Sequence, residues 1–205
     1  MKARLAELLL AKKLYLYSSP KRVAVALTGT LAQLIGKLTV AAPEMLSATL
    51  KEVASYTGTS ITVKSCGSPG DAILLCEDAG EGYLGARLVA LTHIRGYRRH
   101  GFVKAKAESL GEGLYKLTIS EPPSQTTIYI VIRGFIAEEV ESPCTGDALD
   151  LLAQFSREGI IRVPDAVDVL SSSLGLSRRE AREMLIRYVR LGCIDVVGGT
   201  LVLKK

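Results

Sequence analysis

A chain of 205 residues and 22.0 kDa, 48% hydrophobic and 23% charged, has the composition of a folded globular protein rather than a disordered one. Its length suits one large domain or two small ones, and two are expected. The net charge of +5 divides into 17 basic against 13 acidic residues over 1–142 and 9 against 8 thereafter, so bulk charge alone does not establish a nucleic-acid partner, and no apolar run reaches membrane-spanning length.

The start, MKARLAELLLAKKLYLYSS, is positively charged, but Glu7 interrupts its short apolar part and Lys12 and Lys13 follow without a small-residue cleavage site. The expectation is a cytoplasmic amphipathic helix rather than a signal peptide, with no membrane partner. The SSPKR segment then breaks the pattern, VAVALTG suits a short strand, and LAQLIGKL has helical spacing. In PEMLSATLKEVASYTG, Pro43 opens a helix whose apolar face is Met45, Leu46, Leu50, Val53 and Ala54, and Gly58 stops it. SITVKSC and DAILLCE, divided by GSPG, read as an antiparallel hairpin, in which Cys66 and Cys76 are not cross-strand partners. The stretch 82–95 suits either a helix or a third strand. FVKAKAESL, GLYKLTIS and TTIYIVIRG read as three further strands, completing an α+β domain whose N-terminal sheet is antiparallel and carries helices.

If 82–95 is helical, the order of helix, two strands, helix and three strands resembles the roadblock or profilin-like domains, which commonly dimerise and serve as platforms. If it is strand, the pieces LTGTLAQLI and AILLCEDAGEGYLGARLVAL resemble the amino-terminal domain family named after PatA, a regulatory module. Either resemblance implies a role in dimerisation or signal reception for 1–142, and neither carries a functional residue.

The second domain, 143–205, begins with DALDLLAQFSREG, a helix with Leu149, Leu152 and Phe155 inward. The short strand IIRV and a helix started by Pro164 come next. Ser177 and Glu180 have the spacing of a capping box for the third helix, Gly192 ends that helix, and CIDVV and TLVLK form a hairpin around Gly198 and Gly199. That order of elements resembles the winged helix-turn-helix superfamily over 145–205. The resemblance implies a module that most often binds duplex DNA through its third helix and less often docks proteins.

On a helical wheel, Ala181, Met184, Leu185, Tyr188, Val189 and Leu191 share the buried side of that third helix, leaving Arg179, Arg182, Ile186 and Arg190 opposite, with Glu183 and Arg187 nearby. Arginines so placed suit phosphates or a guanine edge, and Ile186 suits a thymine methyl. The DNA-binding set is Ser177, Arg178, Arg179, Arg182, Arg187 and Arg190, with Lys204 and Lys205 reaching phosphates from the chain end. The bland alternative is a solvated face laced by i,i+4 pairs such as Glu183 with Arg187. A wing tip of Gly198 and Gly199, with Val196 facing Leu201 and Ile194 facing Leu203, offers nothing basic to a minor groove.

A second basic stretch, RGYRRHGFVKAKA, gathers Arg95, Tyr97, Arg98, Arg99, Lys104 and Lys106 into a patch suited to nucleic acid or to an acidic protein partner. GEGYLG at 80–85 matches a dinucleotide-binding pattern, but no acidic residue follows at the required distance, so the glycines are assigned to a turn. Glu138, Glu139 and Glu141 look like a solvated linker. No Ser-His-Asp or Cys-His arrangement points to an enzyme. The four cysteines contain no C-x-x-C pair, and no metal or cofactor is expected. Buried free thiols are the default, with intracellular disulfides kept in view because the absence of Asn and Trp suggests a thermophilic source. The reading is a non-enzymatic α+β protein, with a homodimer as one arrangement open to it, that binds double-stranded DNA in transcription. Its alternative is a protein-interaction subunit of a larger complex.

Overall fold

The computed structural model describes residues 4–77, 85–91 and 101–204, which divide into two compact units, Met1–Val140 and Glu141–Lys205. The first unit runs α1 (Arg4–Ala11), β1 (Leu14–Leu16), α2 (Lys21–Ile35), β2 (Lys37–Ala41), a 3-10 turn (Glu44–Leu46), α3 (Ser47–Thr57), β3 (Ser60–Lys64), β4 (Ala72–Cys76), β5 (Leu88–Leu91), β6 (Val103–Gly111), β7 (Leu114–Glu121), β8 (Ser124–Arg133) and β9 (Ile136–Val140). Among the described residues these strands form one nine-stranded sheet in the order β3-β2-β4-β5-β1-β6-β7-β8-β9.

The sheet is mixed, which corrects the antiparallel expectation. The six strands from β3 across to β6 are mutually parallel, and only β6 to β9 form an antiparallel meander. Helices α2 and α3 supply the crossovers that parallel pairing requires. AILLC and LVAL are near-continuous apolar runs because β4 and β5 are buried on both faces. VAVALTG is not a strand but the first half of α2. Residues 88–91 are strand, so the helical condition for the roadblock-like order is unmet there; 78–84 and 92–100 lie outside the described residues.

SITVKSC and DAILLCE do not form a hairpin. Strands β3 and β4 lie on opposite sides of β2, and Ser65 to Asp71 crosses between them. Asp71 fixes this crossing: its carboxylate accepts from Thr39 N at 2.8 Å, its N–H donates to Thr39 O at 2.7 Å, and its carbonyl accepts from Arg87 N at 2.7 Å. The bulge between Leu74 and Cys76, with Leu75 at φ 53°, carries Cys76 to a disulfide with Cys66 at a Cα separation of 5.7 Å. Cys144 and Cys193 form a second disulfide. Free thiols are therefore not what the structure holds. Cys66 and Cys76 are poor partners only in a hairpin, and the parallel crossing brings them together.

Helices α1, α2 and α3 contribute to one core, around Leu9, Leu27, Leu31, Leu50, Leu117 and Ile130, on a single face of the sheet. The opposite face has a smaller cluster, including Tyr15, Ile73 and Val89, to which no described helix contributes. The seat of α2 is set by Gly29, where an added Cβ would stand 2.1 Å from the Phe135 carbonyl oxygen. One residue on, the Thr30 hydroxyl donates to Ala137 O at 3.1 Å and accepts from Ala137 N at 2.9 Å. Glu138 and Glu139, expected in an acidic linker, belong instead to strand β9. Glu139 accepts from Leu5 N at 2.8 Å near the start of α1, and Glu138 pairs with Arg133.

The second unit runs α4 (Asp147–Phe155), β10 (Ile160–Arg162), α5 (Val163–Leu174), α6 (Arg178–Arg190), β11 (Ile194–Val197) and β12 (Thr200–Leu203), with sheet order β10-β12-β11. Its core includes Leu152, Ile161, Leu170, Leu185, Ile194 and Leu201. The α4 expectation needs a correction: Leu152 is fully buried, but Phe155 is 59% exposed and Leu149 half-buried, because Ala148 takes the other inward position. Gly175 at φ 67° ends α5 in the left-handed conformation, and Gly198 and Gly199 turn the hairpin at φ 57° and 78°.

Both the helix seat and the second disulfide bear on stability in a measurable way. Gly29→Ala forces backbone apart from backbone and is expected to destabilise the first unit by about 1–3 kcal/mol, read as a lowered thermal midpoint; an unchanged midpoint contradicts the close seat. The Cys144–Cys193 link spans 49 residues, so opening it is expected to cost the second unit about 4 kcal/mol by the chain-entropy relation. Denaturant titration of Cys144→Ser plus Cys193→Ser against the oxidised parent measures this.

Candidate nucleic-acid interface

The basic face of the second unit is built on α6, and the local sequence fixes where that helix begins. Ser177 is the N-cap; its hydroxyl accepts from Glu180 N at 3.3 Å while Glu180 Oε2 accepts from Ser177 N at 2.8 Å. The Ser177 hydroxyl also donates to Glu180 Oε2 at 2.6 Å. These bonds to the carboxylate hold the Glu180 carboxyl below its ordinary value of 4.5. Ala181 and Leu185 are buried beneath the helix, whereas Met184, Tyr188 and Val189 are half-buried. Burial pushes the Tyr188 phenol up, against a smaller opposing effect from Arg187.

The exposed side carries Arg179, Arg182, Arg187 and Arg190 around Ile186, which is 51% exposed. Their electrostatic state differs. Arg178 pairs with Asp168 of α5, and Arg179 pairs with Glu183 at 3.5 Å, one helical turn on. Among the described residues Arg182, Arg187 and Arg190 have no ion-pair partner. The i,i+4 pair foreseen between Glu183 and Arg187 is made with Arg179 instead.

Of the DNA-binding set, the structure thus brings Arg179, Arg182, Arg187 and Arg190 onto one exposed helix face. Ser177 is engaged in the cap, and Arg178 in an exposed pair with Asp168 of α5. Lys204 pairs with Asp195 at 2.8 Å, and Lys205 lies outside the described residues. The hairpin register is Val196 with Leu201 and Ile194 with Leu203. Val196 and Val197 are 52% and 64% exposed, so the edge of this hairpin is apolar rather than basic.

Sequence reasoning missed a cleft of about 810 Å³ lined by Phe155, Ile160, Arg162, Asp165, Val169 and Thr200. Its only sequence signal is the C-terminal position of Phe155 on a short helix already filled by Leu152. In the first unit, Lys104 and Lys106 lie on β6, while Arg95, Tyr97, Arg98 and Arg99 fall outside the described residues, as does most of GEGYLG. Lys106 donates to Glu108 at 2.6 Å, which holds the Glu108 carboxyl below its usual range.

Compared with known proteins, the chain matches no family model, no curated protein and no solved structure. No described helix is long and apolar enough to cross a membrane.

The capping box gives a pH prediction with a fixed sign. Because the folded pKa of Glu180 is lowered, the stability it contributes is fully present above the unfolded value near 4.5 and is lost as pH falls through the folded value. Ser177→Ala is expected to cost about 1 kcal/mol at neutral pH and to raise the Glu180 titration, followed by carboxyl NMR, toward the ordinary range, the bond from the residue 177 backbone N–H remaining. A Glu180 midpoint unmoved by Ser177→Ala contradicts the cap.

Proposed function

We propose that the second unit is a winged helix-turn-helix module that binds duplex DNA through α6, and that the protein acts in transcription without being an enzyme. The observation that carries this reading is the exposed α6 face on which Arg182, Arg187 and Arg190 have no acidic partner among the described residues and flank an exposed Ile186. The order helix, strand, helix, helix and hairpin, with β12 between β10 and β11, supports it. In this geometry α6 enters the major groove, Arg179 meets phosphates or base edges, Arg182 and Arg190 meet phosphates, with Arg187 in support, and Ile186 meets a thymine methyl. The exposed pairs of Arg178 and Arg179 are weak enough to be exchanged for phosphate. The first unit dimerises the protein or receives a signal.

A second reading, a protein-docking subunit, is favoured by one observation: the apolar exposure of Phe155, Ile160, Val196 and Val197, which a DNA interface does not use.

Gel-shift or anisotropy titration over a salt series separates the two. Replacing Arg182 and Arg190 by Ala is expected to weaken duplex binding at least tenfold and to flatten the logarithmic salt slope by about 1.8, at about 0.9 per phosphate contact. Duplex affinity and slope unchanged by these substitutions remove the DNA reading. Retention of a protein partner after nuclease treatment, lost on Val197→Glu, establishes the docking reading instead.

A further inference from the structure

The meander β6 to β9 has one face packed into the core with α1 and α2, and no described helix of the first unit contributes to the cluster on the opposite face. Alternation along the strands decides what stands there. Val103, Ala105, Ala107, Leu117, Ile119, Ile128 and Ile130 point into the core, so Lys104, Lys106, Glu108, Lys116 and Tyr129 stand on the opposite side, exposed or half-buried. Register aligns them into rows: Lys106 beside Thr118 beside Thr127, and Glu108 beside Lys116 beside Tyr129. Strand β1 extends the face, because Tyr15 pairs with Lys104, and Tyr17 N donates to Ala105 O at 2.9 Å while its ring stacks on Tyr15. The platform measures roughly 14 Å from β1 to β8 and roughly 14 Å along β6 from Lys104 to Glu108.

We propose that this sheet face binds a single strand of nucleic acid, its phosphates on Lys104, Lys106 and Lys116 and its bases against Tyr17 and Tyr129. Cationic side chains interleaved with half-exposed aromatic rings and hydroxyls are what a base-stacking, phosphate-tracking platform needs. Lysine is depleted at the centres of protein interfaces, and a second copy on this face would bring like charges together. Glu108 is the built-in brake: its bond to Lys106 must be exchanged for a phosphate when the strand arrives. The site is independent of the α6 reading and stands or falls separately.

Anisotropy of the full chain with short labelled oligothymidylate and oligouridylate, over a salt series, tests it. Both single strands are expected to bind with salt dependence, whichever sugar they carry. Lys104→Gln plus Lys116→Gln is expected to weaken binding at least tenfold and to flatten the salt slope by about 1.4, at about 0.7 per phosphate. Tyr129→Ala is expected to weaken it about tenfold with the slope unchanged, and Tyr129→Phe to restore it. Glu108→Gln is expected to tighten binding several-fold, a gain that an unfolded variant cannot mimic. Arg179→Ala plus Arg182→Ala is expected to leave single-strand binding intact. The proposal is overturned by no salt-sensitive single-strand binding, or by binding lost with the α6 pair but kept in the lysine variant. Competition by polyglutamate with Tyr129→Ala silent also overturns it, in favour of an acidic protein partner.

Discussion

Helix α2 meets the turn between β8 and β9 backbone to backbone at Gly29, where a single added methyl group would stand 2.1 Å from a carbonyl oxygen. Thr30 then uses its one hydroxyl both to donate to and to accept from Ala137, which fixes the height of the helix over β9. With Ala24, Ala26 and Ala32 also buried, α2 lies low across the sheet, and Leu27 and Leu31 fill the space beside it. Close packing of this kind leaves little freedom to relax, so it commits the helical layer to one face. The sheet is asymmetric in consequence: its central parallel strands β4 and β5 are buried on both faces, whereas β7 and β8 of the meander bury one.

That asymmetry explains which parts of the sheet are legible in the amino-acid sequence. Strands β7 and β8 alternate buried and half-exposed residues because one face packs into the core and the other is more open, and the alternation marks both as strands. AILLC and LVAL do not alternate, since both faces are covered. Turn residues on either side of such a run look the same whether the chain reverses or crosses over a neighbouring strand. GSPG therefore resembles a hairpin turn, although Gly70 is there to pass close to Thr39, where an added Cβ would sit 2.9 Å from the carbonyl oxygen. Gly29 misleads for the same reason. A glycine inside a helix looks like a break in the pattern, whereas its role is set by Phe135, far along the chain.

The second unit is more legible because its devices are local. A capping box acts over three residues and a Gly-Gly turn over two, so both can be read without knowing what packs against them. Partner choice among the charged residues is not legible. Arg178 faces the edge of the helix nearest α5 and is drawn to Asp168, ten residues back, and Arg179 takes Glu183 before Arg187 can. The first choice depends on how α5 and α6 cross, and spacing alone does not decide the second, because Arg179 and Arg187 both stand four residues from Glu183. A helical wheel therefore finds the arginine face but does not distinguish its paired members from its unpaired ones. The cysteines are illegible for a related reason, because both disulfides join segments that only the tertiary fold brings together.

A net charge of +5 is small for a protein proposed to bind polyanions at two places, so distribution matters more than total. Several acidic side chains are used inside the fold. Asp71 brackets β2, Glu139 meets the start of α1, Glu180 caps α6, and Glu121, Glu138, Asp165, Asp168 and Asp195 each pair with a nearby base. Exposed pairs of this sort add little stability, but each removes one charge of either sign from the field that an approaching ligand meets. The cations left without such a partner among the described residues include Arg182, Arg187 and Arg190 on α6 and Lys104 on β6, while Lys106 is held by one weak pair. Local potential is then set by these few side chains, which is why both proposed surfaces depend on individual residues rather than on the protein's overall basicity.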